Sequence, residues 1–215
     1  MKNKYLKLFV VIIALLMVSG CVNINKDSYD TIISNVMNSR LNIYNHHNKG
    51  YKYYVPRGLS VVYSNGLNEK IKSNNLEYYL YVDLVSYYNK VDLEYTVDEN
   101  AYYSALIDDK GLINITQKDN NYLVNVYYNY SNIEVLVKEK DIKLAVTNSL
   151  IMLSTISYND SVIQTMLDEG ILSLNEKKVE VFKETDKNNQ NVLQEIDEDN
   201  YRSEEEKEKD RDYIY

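Results

Sequence analysis

Three features of this 215-residue sequence predict an α+β fold built on an antiparallel sheet. Residues 102–138 hold four short runs of β-branched, aromatic and aliphatic residues, and the connections between them are short and polar. Residues 76–88 alternate apolar and polar with the period of a half-buried strand. Apolar residues recur at helical spacing on both flanks, over 28–44 and again over 141–156. The order helix, strands, meander, helix sets an N-terminal and a late helix on an antiparallel sheet, with an α/β/α sandwich as one arrangement. An apolar fraction of 45% provides a core and excludes wholesale disorder. One cysteine excludes an intrachain disulfide framework and a Cys-based zinc ribbon.

The leader comes first. Residues 1–7 carry three lysines and no acid, and Leu8 to Val18 is an unbroken apolar run of eleven residues. A membrane-crossing helix needs about 20 apolar residues. This run is shorter and has the layout of a secretory signal peptide. It ends in Val18-Ser19-Gly20-Cys21, which resembles the lipobox of bacterial lipoproteins. The resemblance implies cleavage between Gly20 and Cys21 and a thioether from Cys21 to diacylglycerol. It also implies anchoring on the extracytoplasmic face of the cell membrane. Two acyl chains give stable anchoring where one is marginal. Losing residues 1–20 removes three lysines and leaves a net charge of −11 in place of −8.

The expected organisation is therefore a signal peptide at 1–20, a lipidated tether at 21–27, one domain over 28–183 and an acidic, largely disordered tail at 184–215. Asp27 or Ser28 is placed to cap a helix running to about Tyr44, with Ile32, Ile33, Val36, Met37 and Leu41 on one stripe. Gly50 suits a left-handed turn after His46 and His47, which read as a polar, exposed loop. Strands are expected over 51–55 and 59–63 around Pro56, followed by a polar loop over 64–75. From 76 to 88 one strand face reads Leu76, Tyr78, Leu80, Val82 and Leu84, and the other includes Glu77, Tyr79, Tyr81 and Asp83. The meander strands are 102–107, 112–117, 122–130 and 133–138, antiparallel and side by side because their connections are so short. A helix from Asp141 to Ile156 has a wide apolar face. A shorter helix begins at Asn159 or Asp160 and stops at Gly170, and residues 171–182 add a last strand. The tail has 12 acids against five bases and few apolar residues to offset chain entropy.

The segment from Gly50 to Gly58, with its Tyr-Tyr-Val-Pro-Arg-Gly core, resembles the opening strand of PsbP-type α/β/α domains, with Leu59 where those domains usually carry tryptophan. That resemblance implies a non-catalytic binding or assembly role.

The net charge and the lack of a basic cluster beyond the leader argue against nucleic acid. There are 23 Tyr, two Phe, no Trp and 27 Asn, the bias of AT-rich codons. A tyrosine-rich surface also suits sugars or peptides, since the ring is apolar and its hydroxyl polar. His46 and His47 are the only histidines, and as neighbours they point apart, so zinc would need carboxylates brought in by the fold. With Cys21 lipidated no thiol nucleophile remains. Neither a Gly-x-Ser-x-Gly elbow nor a phosphate-binding glycine loop is present, so no cofactor is expected. Tyr79 and Tyr81 share a strand face and are the candidate binding platform. The expected function is a membrane-anchored, non-catalytic binding or assembly module with an envelope protein as partner. The alternative is a lipoprotein that handles a small molecule, metal or glycan, or an unrecognised hydrolase.

Overall fold

The computed structural model describes residues 26–39, 42–73, 75–172 and 181–182. The chain divides into two units, Met1–Val179 and Glu180–Tyr215, and the fold below is that of the first. The leader, Cys21, most of the expected strand over 171–182 and the acidic tail lie outside the described residues.

The first helix, α1 (Tyr29–Asn38), is capped by Ser28, whose side chain accepts from the Thr31 N–H. It stops well before Tyr44: Asn38 and Ser39 favour caps and turns, and the Ser39 N–H closes the last turn on Asn35 and Val36. His46 and His47 are therefore not in a loop behind a long helix. They belong to strand β1 (His46–Asn48), which pairs with β2 (Tyr51–Tyr53). The turn between them needs Gly50, at φ +84°, where a Cβ would meet Leu84 Cδ1 at 2.9 Å and Ile163 Cγ1 at 3.0 Å.

Residues 64–75 also differ from the expected polar loop. Strands β3 (Ser60–Asn65) and β4 (Asn68–Lys72) form a hairpin across Gly66 and Leu67, with Asn65 opposite Asn68. An Asn-Gly pair is a strong hairpin signal, and here it turns the chain. Strand β5 (Glu77–Val82) follows but does not run on to Tyr88. Asp83 caps a short helix, α2 (Leu84–Tyr88), by accepting from the Ser86 N–H at 2.8 Å.

The meander is as expected: β6 (Tyr103–Ile107), β7 (Gly111–Lys118), β8 (Asn121–Tyr128) and β9 (Ser131–Val137) are consecutive antiparallel neighbours. The last turn lies at Asn129 and Tyr130, two residues before the expected Ser131 and Asn132, with both φ values positive at 48° and 62°. After a 3₁₀ turn comes α3 (Ile142–Ser154), then β10 (Ser157–Tyr158), then α4 (Asp160–Asp168) capped by Asn159.

Two sheets result. The larger has seven antiparallel strands in the order β3-β4-β5-β9-β8-β7-β6, and the smaller has the order β1-β2-β10. Helix α3 lies on the large sheet against β8 and β9 and also packs on α1. Beneath these elements are Ile71, Tyr78, Leu80, Val82, Ile113, Ile115, Val124, Val126, Ile133 and Val135, all buried. The Asn148 side chain on α3 donates to the Tyr78 hydroxyl at 2.9 Å, so the polar tip of this core tyrosine is satisfied. The strand face from Leu76 to Leu84 expected to meet the core does so at every position.

Leu80 is 1% exposed at the centre of this face. An ionised carboxylate there would have no partner, so Leu80→Asp should abolish cooperative thermal unfolding followed by circular dichroism. A folded Leu80→Asp variant would reverse the face assigned to β5.

Candidate functional site

Two polar constellations stand out, one inside the fold and one on its surface. The inner one centres on Glu69, which the covered side of β4 carries into the interior at 2% exposure. Burying a carboxylate is expensive unless hydrogen bonds compensate it. Donors converge on it from three strands. His46 Nε2 lies 3.2 Å from Oε1, the Tyr51 hydroxyl donates at 3.0 Å and Ser64 Oγ at 3.4 Å. Asn48 Nδ2 donates to the same oxygen, and the Tyr53 hydroxyl donates to Oε2. Burial and the adjacent Glu69 charge raise the ionisation of Tyr51 and Tyr53 well above the ordinary tyrosine value, which keeps both hydroxyls as donors.

The cluster contains a serine, a histidine and a carboxylate, yet not in a hydrolytic order. In a triad the imidazole lies between nucleophile and carboxylate. Here Glu69 lies between Ser64 and His46 and accepts from both, so the imidazole is not set to take the serine proton. His47 is exposed on the same strand. Among the described residues no group of three or more His, Cys, Asp or Glu is placed to hold a metal ion. The Glu69 cluster ties the small sheet to the β3–β4 hairpin.

The outer constellation is the opposite face of the large sheet. Cross-strand pairing puts Lys70, Tyr79, Glu134, Asn125, Asn114 and Ser104 in one row across six strands. Tyr81, Asn132, Tyr127 and Leu112 form the next row. Tyr79 and Tyr81 are both half-buried here, on the face turned away from α1 and α3. The Tyr79 hydroxyl donates to Glu77 at 2.9 Å, and Lys70 Nζ lies 5.6 Å from its ring centre. Partial burial and the bond to Glu77 raise its ionisation above the usual range. Burial pulls the Glu77 carboxyl upward, but hydrogen bonds from Lys72, Lys70 and Tyr79 overcome this and bring it down to about 2. The floor also holds three amide oxygens, Asn114 Oδ1, Asn125 Oδ1 and Asn132 Oδ1, that are buried without a hydrogen-bond partner.

Residues 91–98 cross this face as a strap on the way from α2 to β6. Their path is fixed by the Tyr130 hydroxyl donating to Val91 O at 3.0 Å, by Tyr95 against Tyr127 with ring centres 6.1 Å apart, and by the Asp98 N–H donating to Ser104 Oγ at 3.1 Å. Sequence reasoning found Tyr79 and Tyr81. It missed Glu69, the amide row and the strap, although the Asn65-Gly66 turn would have placed Glu69 on a strand.

Removing the Glu69 acceptor should strand several buried donors. Glu69→Leu should cost about 3–5 kcal/mol in chemical denaturation, and Glu69→Gln, which keeps one oxygen, clearly less. Equal losses in the two variants would show that the donors do not depend on the carboxylate. Compared with known proteins, the chain matches no family model, no curated protein and no solved structure.

Proposed function

We propose that this chain is a membrane-anchored extracytoplasmic lipoprotein, held by diacylglycerol on Cys21, whose domain is a non-catalytic binding or assembly module of the cell envelope. The anchor rests on the leader, in which a charged start, a short apolar run and Ser-Gly-Cys follow in order. Among the described residues no helix is long and apolar enough to cross a membrane. The binding role rests on one observation: the tyrosine- and asparagine-rich face of the large sheet lies opposite the helices and is crossed by a strap. Half-buried tyrosines beside amide and carboxylate groups suit recognition of a protein segment.

One feature favours the glycan-handling alternative. A hollow of about 440 Å³ is lined by Tyr87, Tyr88, Lys90, Tyr130 and Asp160. Tyr87 stacks on Tyr158 at 3.7 Å and donates to Asp160 at 3.0 Å, which leaves aromatic faces next to one acid and one base. Tyr130 holds a left-handed φ of 62°, a strain that bulky residues keep where the surroundings fix it.

Cys21→Ala should move the protein from the membrane to the soluble extracytoplasmic fraction; wild-type retention after a salt wash would remove the lipid anchor. In-cell crosslinking of the anchored chain should capture a reproducible envelope protein, and Tyr79→Ala with Tyr81→Ala should lose it. Saccharide binding abolished by Tyr87→Ala, with no protein captured, would favour the hollow.

A further inference from the structure

The strap has a pattern that its conformation does not use. From Val91 to Asp98 it reads Val-Asp-Leu-Glu-Tyr-Thr-Val-Asp, apolar and polar in strict alternation. That is the period of a strand with one buried face. The segment nevertheless joins no ladder. Among the described residues, no backbone group of residues 92–97 has a hydrogen-bond partner. Its apolar side chains are covered only in part: Val91 is 43% exposed, and Leu93 and Val97 are 40% exposed. Asp92, Glu94, Asp98 and Glu99 give residues 91–100 four acids and no base.

A second observation lies beneath it. Asn132, 4% exposed, sits opposite Tyr127, which touches the strap through Tyr95. Its Nδ2 reaches Val126 O at 3.5 Å while its Oδ1 has no partner. Asn125 Oδ1 and Asn114 Oδ1 repeat the deficit on the next two strands. Glu134, at 8% exposure, adds a carboxylate to the same floor. This face of the sheet thus carries buried amide acceptors without donors and a carboxylate.

We propose that residues 91–98 are a docking edge on which an extended, basic segment of a partner protein pairs as an added strand. This inference rests on the binding-module reading and names its partner class. Unpaired N–H and C=O groups of the strap supply main-chain bonds to the guest. Alternate guest side chains that are apolar pack on Leu93 and Val97. Those that are lysine or arginine meet Asp92, Glu94 and Asp98. Charge complementarity decides the occupant, because an acidic segment would meet like charge along the whole edge.

The test uses the full lipidated chain in detergent and two fluorescent octapeptides, one alternating lysine with valine and one alternating glutamate with valine. Fluorescence anisotropy should show the lysine peptide binding at least about tenfold more tightly. Thr96→Pro removes one strap N–H and should weaken it by about tenfold with an unchanged melting temperature. Asp92→Lys combined with Glu94→Lys, both exposed, should reverse the preference. Equal affinity for the two peptides, no binding of either, or binding indifferent to both variants would overturn the docking edge. An envelope protein crosslinked by the Thr96→Pro chain at the wild-type yield would overturn the strap but leave the binding module standing.

Discussion

The arrangement depends first on a buried carboxylate. Glu69 sits at the interface of two sheets, where a charge is tolerated only if donors surround it. Those donors come from β1, β2 and β3, so the charge dictates which strands must be near β4. Hydrophobic burial would hold the small sheet on the large one in several registers, since apolar contact is non-directional. Five directed bonds to two oxygens select one. This fixes the β1–β2 hairpin, and with it Gly50, whose carbonyl accepts from Asn159 at 2.8 Å just where α4 starts. One buried carboxyl side chain thereby joins elements far apart in sequence.

A second constraint is topological. Strands β5 and β6 follow one another in sequence yet are third and seventh in the sheet. The meander folds back hairpin by hairpin, so its last strand, β9, takes the place beside β5. The chain leaving β5 must then traverse four strand spacings, roughly 19 Å, before β6 can begin. The covered face is filled by α1, α3 and the small sheet, which leaves the other face for the crossing. An extended stretch of about eight residues spans this distance with slack. The strap thus follows from strand order, and its lack of ladder partners follows from crossing the strands instead of lying beside them.

Much of this was legible in the sequence because local signals and long-range packing agreed. The meander has short polar turns, α3 a wide apolar face and α4 a capping asparagine, and each forms within two residues of where those signals put it. The core face of β5 was readable from alternation alone. Disagreements arose where a local signal was ambiguous. Residues 64–75 look polar because the hairpin lies at a sheet edge and one of its inward positions is Glu69, which carries no apolar signature. The last meander turn lies at Asn129 and Tyr130 because the hairpin uses two left-handed residues, and tyrosine seldom serves there. Tyr130 is held in that conformation from both ends: its carbonyl accepts from the Asp83 N–H at 2.8 Å and its hydroxyl donates to Val91. Neither contact is visible in a linear sequence. Residues 83–88 read as strand because Leu84 continues the period of two, and the Asp83 cap turns the chain into a helix instead.

The two faces of the large sheet consequently answer to different demands. The covered face must exclude water, and its residues are apolar or, like Tyr78 and Glu69, have their polar atoms bonded. The strapped face has row after row of tyrosine, asparagine and charge, which a sheet does not need for its own stability. A row such as Tyr79, Glu134, Asn125 and Asn114 leaves amide oxygens without donors, a cost that two aliphatic rows would have avoided. Leu136 and Leu123, opposite one another in the adjacent row, show that this face accepts apolar pairs. Polar groups kept at a cost, beneath a segment with unpaired backbone, are what the proposed recognition role rests on, and they lie on the side of the sheet that the core does not use.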